Sequence, residues 1–181
     1  MKKLNVLLLT IIASASVALN SCEPFEDTYV KLAMDTELEE QVAGVDNIKI
    51  TSDFCLSEFD EYNDNIDQIE EIRYVESAYF TLEGPADLSG DNLKLRLFES
   101  DGTTLLFEFV LPNFIAANYV TKPLILNLSE EEIAAVNNYL LNYKVDDCFK
   151  VEMSVENVKP VNQIFKIKSK VELLAEIKVK L

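Results

Sequence analysis

From residue 165 to 181 apolar and polar side chains alternate with hardly a break. Phe165, Ile167, Val171, Leu173, Ala175, Ile177, Val179 and Leu181 hold the odd positions, interrupted by Ser169. Lysines and glutamates fill the even positions, interrupted by Leu174. A two-residue period belongs to a strand with one buried face and one wet face. The run exceeds an ordinary strand, so a bend or bulge near Ser169 is expected. Phe149, Val151, Met153 and Val155 alternate with polar residues in the same way. Leu93, Leu95 and Leu97 do so before Asp101-Gly102, and Leu105, Phe107, Phe109 and Leu111 after it. Matching the apolar faces predicts a hairpin with a three-residue turn, Ser100-Asp101-Gly102. Leu95 then faces Phe107, Gly102 is left-handed, and Pro112 ends the second strand. Residues 69–82 read as a strand with Ile72, Tyr74, Ala78, Phe80 and Leu82 on one face. Shorter strands are expected at 29–33, 48–56 and 124–128, with 37–41 a helical turn or loop.

One helix interrupts this pattern. Ser129 followed by Glu132 forms the capping-box signature, with Leu128 and Ile133 placed for a hydrophobic staple. Ile133, Val136 and Leu140 give an apolar stripe at helical spacing, so a helix over 129–141 is expected as a lid on one end of the fold. The fold class is therefore all-β with one short helix: an antiparallel β-sandwich of immunoglobulin-like size, with about 7–8 strands. Neither an internal repeat nor a Cys…Trp…Cys pattern is present.

The first 22 residues follow another rule. Lys2 and Lys3 precede an apolar run to Leu19, and Leu19-Asn20-Ser21-Cys22 closes it. This is the layout of a secretory signal, too short for a membrane-spanning helix. The four closing residues resemble a bacterial lipobox, in which the cysteine is acylated and becomes the new first residue. A plain cleavable signal and a structural thiol at Cys22 are the alternatives. Glu23, Glu26 and Asp27 resemble the export signals of surface lipoproteins in Bacteroidota, and the chain as a whole resembles their small uncharacterised β-sandwich lipoproteins. The resemblance implies a signal peptide at 1–21, a lipidated tether at 22–28 and a sandwich domain at 29–181. It also implies an outer-membrane location, lipid-anchored, on either the periplasmic or the surface face, and it transfers no catalytic residues.

Composition narrows the chemistry. The chain carries 16 basic and 32 acidic residues, a formal net charge of −16, which argues against nucleic acid as a partner. It has no histidine, which removes the commonest general base and Ser-His or Cys-His nucleophile pairs. No cofactor is expected, since the four glycines form no phosphate-loop or dinucleotide pattern. Cys55 and Cys148 could form a disulfide in an exported protein, or remain two reduced thiols. They cannot fill a tetrahedral zinc site by themselves. The acidic stretch 53–71 offers Asp60, Asp64 and Glu71 at calcium-loop spacing. Tyr62 and Asn65 stand where a ligand and a turn glycine are needed, so a solvated acidic loop is the better reading.

The expected function is thus a non-enzymatic binding, adhesion or envelope-assembly module. Its partners are the membrane, through the lipid, and an envelope protein or glycan. Loops 57–68 and 113–122 are the candidate contact regions, the second through Phe114 and Tyr119. The lysine row of the last strand reads as an outer face rather than as an anion site. Two alternatives differ in class: a glycan hydrolase using paired carboxylates, and a pilus-like subunit that lends a strand to its neighbour.

Overall fold

The computed structural model describes residues 28–161 and 163–180. The expected signal peptide, Cys22 and nearly all of the tether lie outside them. Eight described strands follow in order: β1 (Thr28–Ala43), β2 (Ile48–Cys55), β3 (Ile69–Glu83), β4 (Ser89–Glu99), β5 (Leu105–Ile115), β6 (Leu124–Ile125), β7 (Cys148–Glu156) and β8 (Ile164–Val179). A short helical turn, α1 (Asp60–Asn63), lies between β2 and β3, and α2 (Glu130–Leu140) lies between β6 and β7.

The strands form two antiparallel four-stranded sheets, ordered β1-β8-β3-β6 and β2-β7-β4-β5. The pairs β1–β8, β2–β7, β3–β6 and β4–β5 nest inside one another along the chain. The chain therefore behaves as one long hairpin rolled into a sandwich, which is the jelly-roll topology. Leu32, Met34, Leu38, Val171, Leu173 and Ile177 of one sheet face Leu93, Leu95, Leu97, Val151, Met153 and Val155 of the other, all buried.

The two sides of the sandwich close differently. Among the described residues β6 pairs with Ala78 and Tyr79 of β3, and Leu126 N–H adds a bond to Ser77 O at 2.9 Å. α2 takes over the rest of that side. Its Asn137 Oδ1 accepts the N–H of Tyr74 on β3 at 2.8 Å, and its Glu132 Oε1 accepts the N–H of Glu108 on β5 at 3.1 Å. The helix starts as the capping box predicts: Glu132 N–H donates to Ser129 Oγ at 3.3 Å, and Ser129 N–H donates to Glu132 Oε2 at 2.8 Å. On the opposite side β1 and β2 are sheet edges. There Thr36 Oγ1 and Ser52 Oγ share a hydrogen bond of 2.7 Å across the gap.

Several elements depart from the sequence reading. Residues 37–41 belong to β1, because Leu38 and Val42 point inward while Glu37 and Glu39 meet Lys168 and Lys166 of β8 at 2.7 and 2.9 Å. β8 keeps one register against β1 along its whole length, so no bulge interrupts that ladder at Ser169; the bulge beside Ser169 lies in the facing strand, between Thr81 and Glu83 of β3. The irregularities sit instead in β3, whose register against β8 shifts at three places. The shift between Tyr74 and Glu76 reverses which side chains face the core. Ile72 and Tyr74 are buried before it, Ser77, Tyr79 and Thr81 after it, and Leu82 points outward. In the β4–β5 hairpin Leu95 faces Phe109, not Phe107, and Leu97 faces Phe107. The loop is longer than expected because Asp101 Oδ1 collects the N–H groups of both Thr103 and Thr104 at 2.8 Å. Gly102 is left-handed as expected, with φ 65°. β5 continues through Pro112 to Ile115. Proline is tolerated there because β5 is an edge strand.

Candidate functional site

The ends of the sandwich are chemically distinct. The start of β1 pairs with the end of β8, Thr28 opposite Val179, and β3 begins beside it at Ile69. Cys55, α1 and Tyr143 share that end, where Tyr143 Oη donates to Ile69 O at 2.8 Å. We call it the proximal end. The distal end holds the close of β1, the start of β4, the close of β5 and the residues after β7. Extended β structure rises about 3.3 Å per residue, so the 16 residues of β1 separate the two ends by about 50 Å.

A cleft of about 210 Å³ lies at the distal end, lined by Ser89, Asp91, Asn113, Ile115, Asn157 and Lys159 together with Gly90 and Phe114. Close strand contact builds it. Ser89 and Lys159 exchange backbone hydrogen bonds of 3.1 and 2.9 Å. At Gly90 a Cβ would stand 2.4 Å from Val155 Cγ1 and 2.7 Å from Glu156 O, so any other residue would push β4 off β7. Asn113 and Asn157 take left-handed backbone conformations, φ 54° and 51°, which asparagine tolerates better than most side chains. Asn157 Nδ2 donates to Asp91 Oδ2 at 2.6 Å, and Asn157 N–H donates to Asn47 Oδ1 at 3.1 Å. The cleft thus presents amide, carboxylate, hydroxyl and ammonium groups around one apolar wall. That set suits reversible hydrogen bonding to a small polar group.

The aromatic residues expected at a partner surface are divided. Phe114 is fully buried and forms the floor of the cleft. Its ring stacks on Tyr119, centroids 6.1 Å apart and planes 2° apart, while Tyr79 meets both edge-on. Phe114 therefore packs the core instead of facing a partner. The correction follows from β5, which continues where an irregular loop was expected. Tyr119 is half-buried. Below them Tyr79 Oη shares hydrogen bonds with Ser169 Oγ at 3.0 Å and Thr81 Oγ1 at 3.2 Å. Burial pushes the Tyr79 phenol up, against the pull of those two hydroxyls.

The proximal candidates are placed as follows. Asp60 and Asp64 sit at the two ends of α1, linked through the backbone at 2.8 Å. Glu71 lies on β3, where Arg73 grips its carboxylate at 2.7 and 2.8 Å and holds it below the usual glutamate range. Among the described residues the one group of three prospective ligand atoms within 4.8 Å is Cys55, Asp147 and Cys148. Asp60, Asp64 and Glu71 are thus not brought together. Cys55 and Cys148 are the last pair of the β2–β7 ladder and are joined by a disulfide of 1.99 Å. The lysine row of β8 is paired with acids: Lys166 with Glu39 and Glu83, Lys168 with Glu37 and Lys178 with Glu70 of the neighbouring strands, and Lys170 with Glu172 of β8 itself.

Sequence reasoning included Asn113 in the candidate stretch 113–122 without singling it out, and missed Asp91 and Asn157. Left-handed asparagines carry no periodic signal, and Gly90 was the one available hint.

No family model and no curated protein matches the chain. Among solved structures it is similar to the decameric BFDV capsid protein, with TM-score 0.48 and 8% identity over 83% of this chain and 100% of that one. It is also similar to a tobacco necrosis virus chain, with TM-score 0.43 and 11% identity over 86% and 97%. A third is a chain of Desmodium yellow mottle tymovirus, with TM-score 0.37 and 9% identity over 87% and 92%. At these scores the likenesses carry no argument about what this chain does.

Proposed function

We propose that the protein is a lipid-anchored envelope lipoprotein, held at the outer membrane through Cys22, that works as a non-enzymatic binding module. The observation that carries this reading is the opposition between the chain's entry and the distal cleft. Thr28 opens β1 at the proximal end, six residues after Cys22. Six residues reach at most about 20 Å, so an acylated Cys22 keeps the proximal end near the lipid. The cleft then faces away from the membrane at a height of about 50 Å or more. Its polar lining suits a protein or glycan partner.

The two alternatives gain no support. Glu152 is the buried carboxylate among the described residues, and Lys49 and Arg96 hold it at 2.7 and 3.1 Å. A hydrolase needs an acid raised by an apolar setting. Strand lending was suggested by β8, which is already paired with β1 and β3 on its two sides.

Crosslinking on intact cells tests the binding role. The wild type should join a defined neighbour through the distal end, and Asp91→Ala with Asn113→Ala should lose it. An identical neighbour profile for wild type and variant contradicts the assignment of the cleft.

A further inference from the structure

We propose that the free edge of β1 accepts an extended, lysine- or arginine-bearing segment of a partner protein as an added strand. This deepens the binding-module reading and rests on it, while standing apart from both the lipid anchor and the distal cleft.

The argument begins with an asymmetry. On the α2 side the exposed edges are answered: β6 pairs with β3, Asn137 takes the N–H of Tyr74, and Glu132 takes the N–H of Glu108. On the other side β1 has β8 as its one strand partner among the described residues, and it meets β2 through the Thr36–Ser52 hydroxyl bond without a backbone ladder. Edge strands are usually blunted by short length, bulges, proline or charged side chains. Of these β1 has the charges alone, and they decide which strand can pair with it. It runs 16 residues without proline or glycine and in one register. Half of its backbone groups therefore point outward as a regular template.

Charge selects the occupant. Asp35, Glu37, Glu39 and Glu40 are exposed along the second half of β1. Lys168 and Lys166 answer Glu37 and Glu39 from within the sheet, Lys170 lies within electrostatic reach of Asp35, and Glu40 stands outside those pairs. A second copy paired antiparallel over the second half of β1 would bring acids against acids, since the strand's one cation, Lys31, lies in its first half. A basic strand would set its cations opposite them, the favourable cross-strand arrangement.

Hydrogen exchange on the full chain, read by mass spectrometry, tests this with two synthetic peptides. One alternates lysine and valine, the other glutamate and valine, each about eight residues long. The lysine peptide should slow exchange of the outward β1 amides at least tenfold, and the glutamate peptide should leave them unchanged. Asp35→Lys with Glu40→Lys should weaken the lysine peptide about tenfold while β7 amides stay protected, which shows that the variant is folded. Three results overturn the proposal: no slowing in β1, equal slowing by both peptides, or slowing that follows protein concentration without peptide, which assigns the edge to a second copy. Failure here leaves Cys22 acylation and the distal cleft intact, and failure of either of those leaves the edge intact.

Discussion

Asn137 of α2 accepts the backbone N–H of Tyr74 on β3 at 2.8 Å, so a helix side chain stands where a neighbouring strand would otherwise be. The contact is part-buried, and an unanswered N–H in such a position costs about 1–3 kcal/mol. Asn137→Ala should lower unfolding stability by about 1–2 kcal/mol in urea titration. Asn137→Asp keeps an acceptor oxygen and should cost less. Equal losses for both would mean that the amide acts through packing alone.

Ser169 interrupts the apolar face of β8 because its hydroxyl serves Tyr79 inside the core. Tyr79→Phe removes a shared partner from two buried hydroxyls, Ser169 and Thr81. It should destabilise by about 1–3 kcal/mol, more than Ser169→Ala, which leaves Tyr79 its bond to Thr81. Chemical denaturation of both variants checks the order. A reversed order contradicts the role given to the phenol.

Asp101 is fully exposed, yet its carboxylate accepts the N–H groups of Thr104 and Thr103 and then their hydroxyls. These bonds hold its pKa far below the ordinary aspartate range. A depressed folded-state pKa means that the unfolded chain binds the proton more readily. The contribution is fully present above about pH 4, the unfolded value, and is lost as pH falls through the folded one. Asp101→Asn should therefore flatten the acid limb of the stability–pH curve and leave its neutral part with little further pH dependence. NMR titration of the wild type should find Asp101 still ionised at about pH 3. A midpoint near 4 contradicts the geometry.

Cys55 and Cys148 are separated by 93 residues in sequence and close the β2–β7 ladder. In the chain-entropy picture, closing such a loop stabilises by about 4–5 kcal/mol. Replacing both with alanine should lower the denaturation midpoint correspondingly without changing the far-UV spectrum of the native state. An unchanged midpoint would show that the bridge contributes nothing.

The regular parts of this fold were legible because one rule governs them. Alternation identified β7 and β8, and capping chemistry identified α2 to within a residue at each end. What was not legible arose where a second interaction overrode the pattern. The bulge in β3 exchanges its faces after Tyr74, and no local signal separates Tyr79 from Phe80 as the inward ring. The Asp101 side chain lengthened the β4–β5 loop while keeping apolar residues opposite one another, so the burial pattern alone could not fix the register. Glu37 and Glu39 look like loop residues until Lys168 and Lys166 stand beside them. The distal cleft joins β4, β5 and the segment after β7, elements distant in sequence, and its left-handed asparagines look like any others in a list of residues.

The proposed acylation of Cys22 is the claim on which the functional account rests, and intact-mass spectrometry of the amino-terminal peptide from membrane-extracted protein tests it most directly. The account predicts a peptide that begins at Cys22 and carries the added mass of several fatty acyl chains, lost in Cys22→Ser. A peptide that begins elsewhere, or begins at an unmodified Cys22, contradicts it.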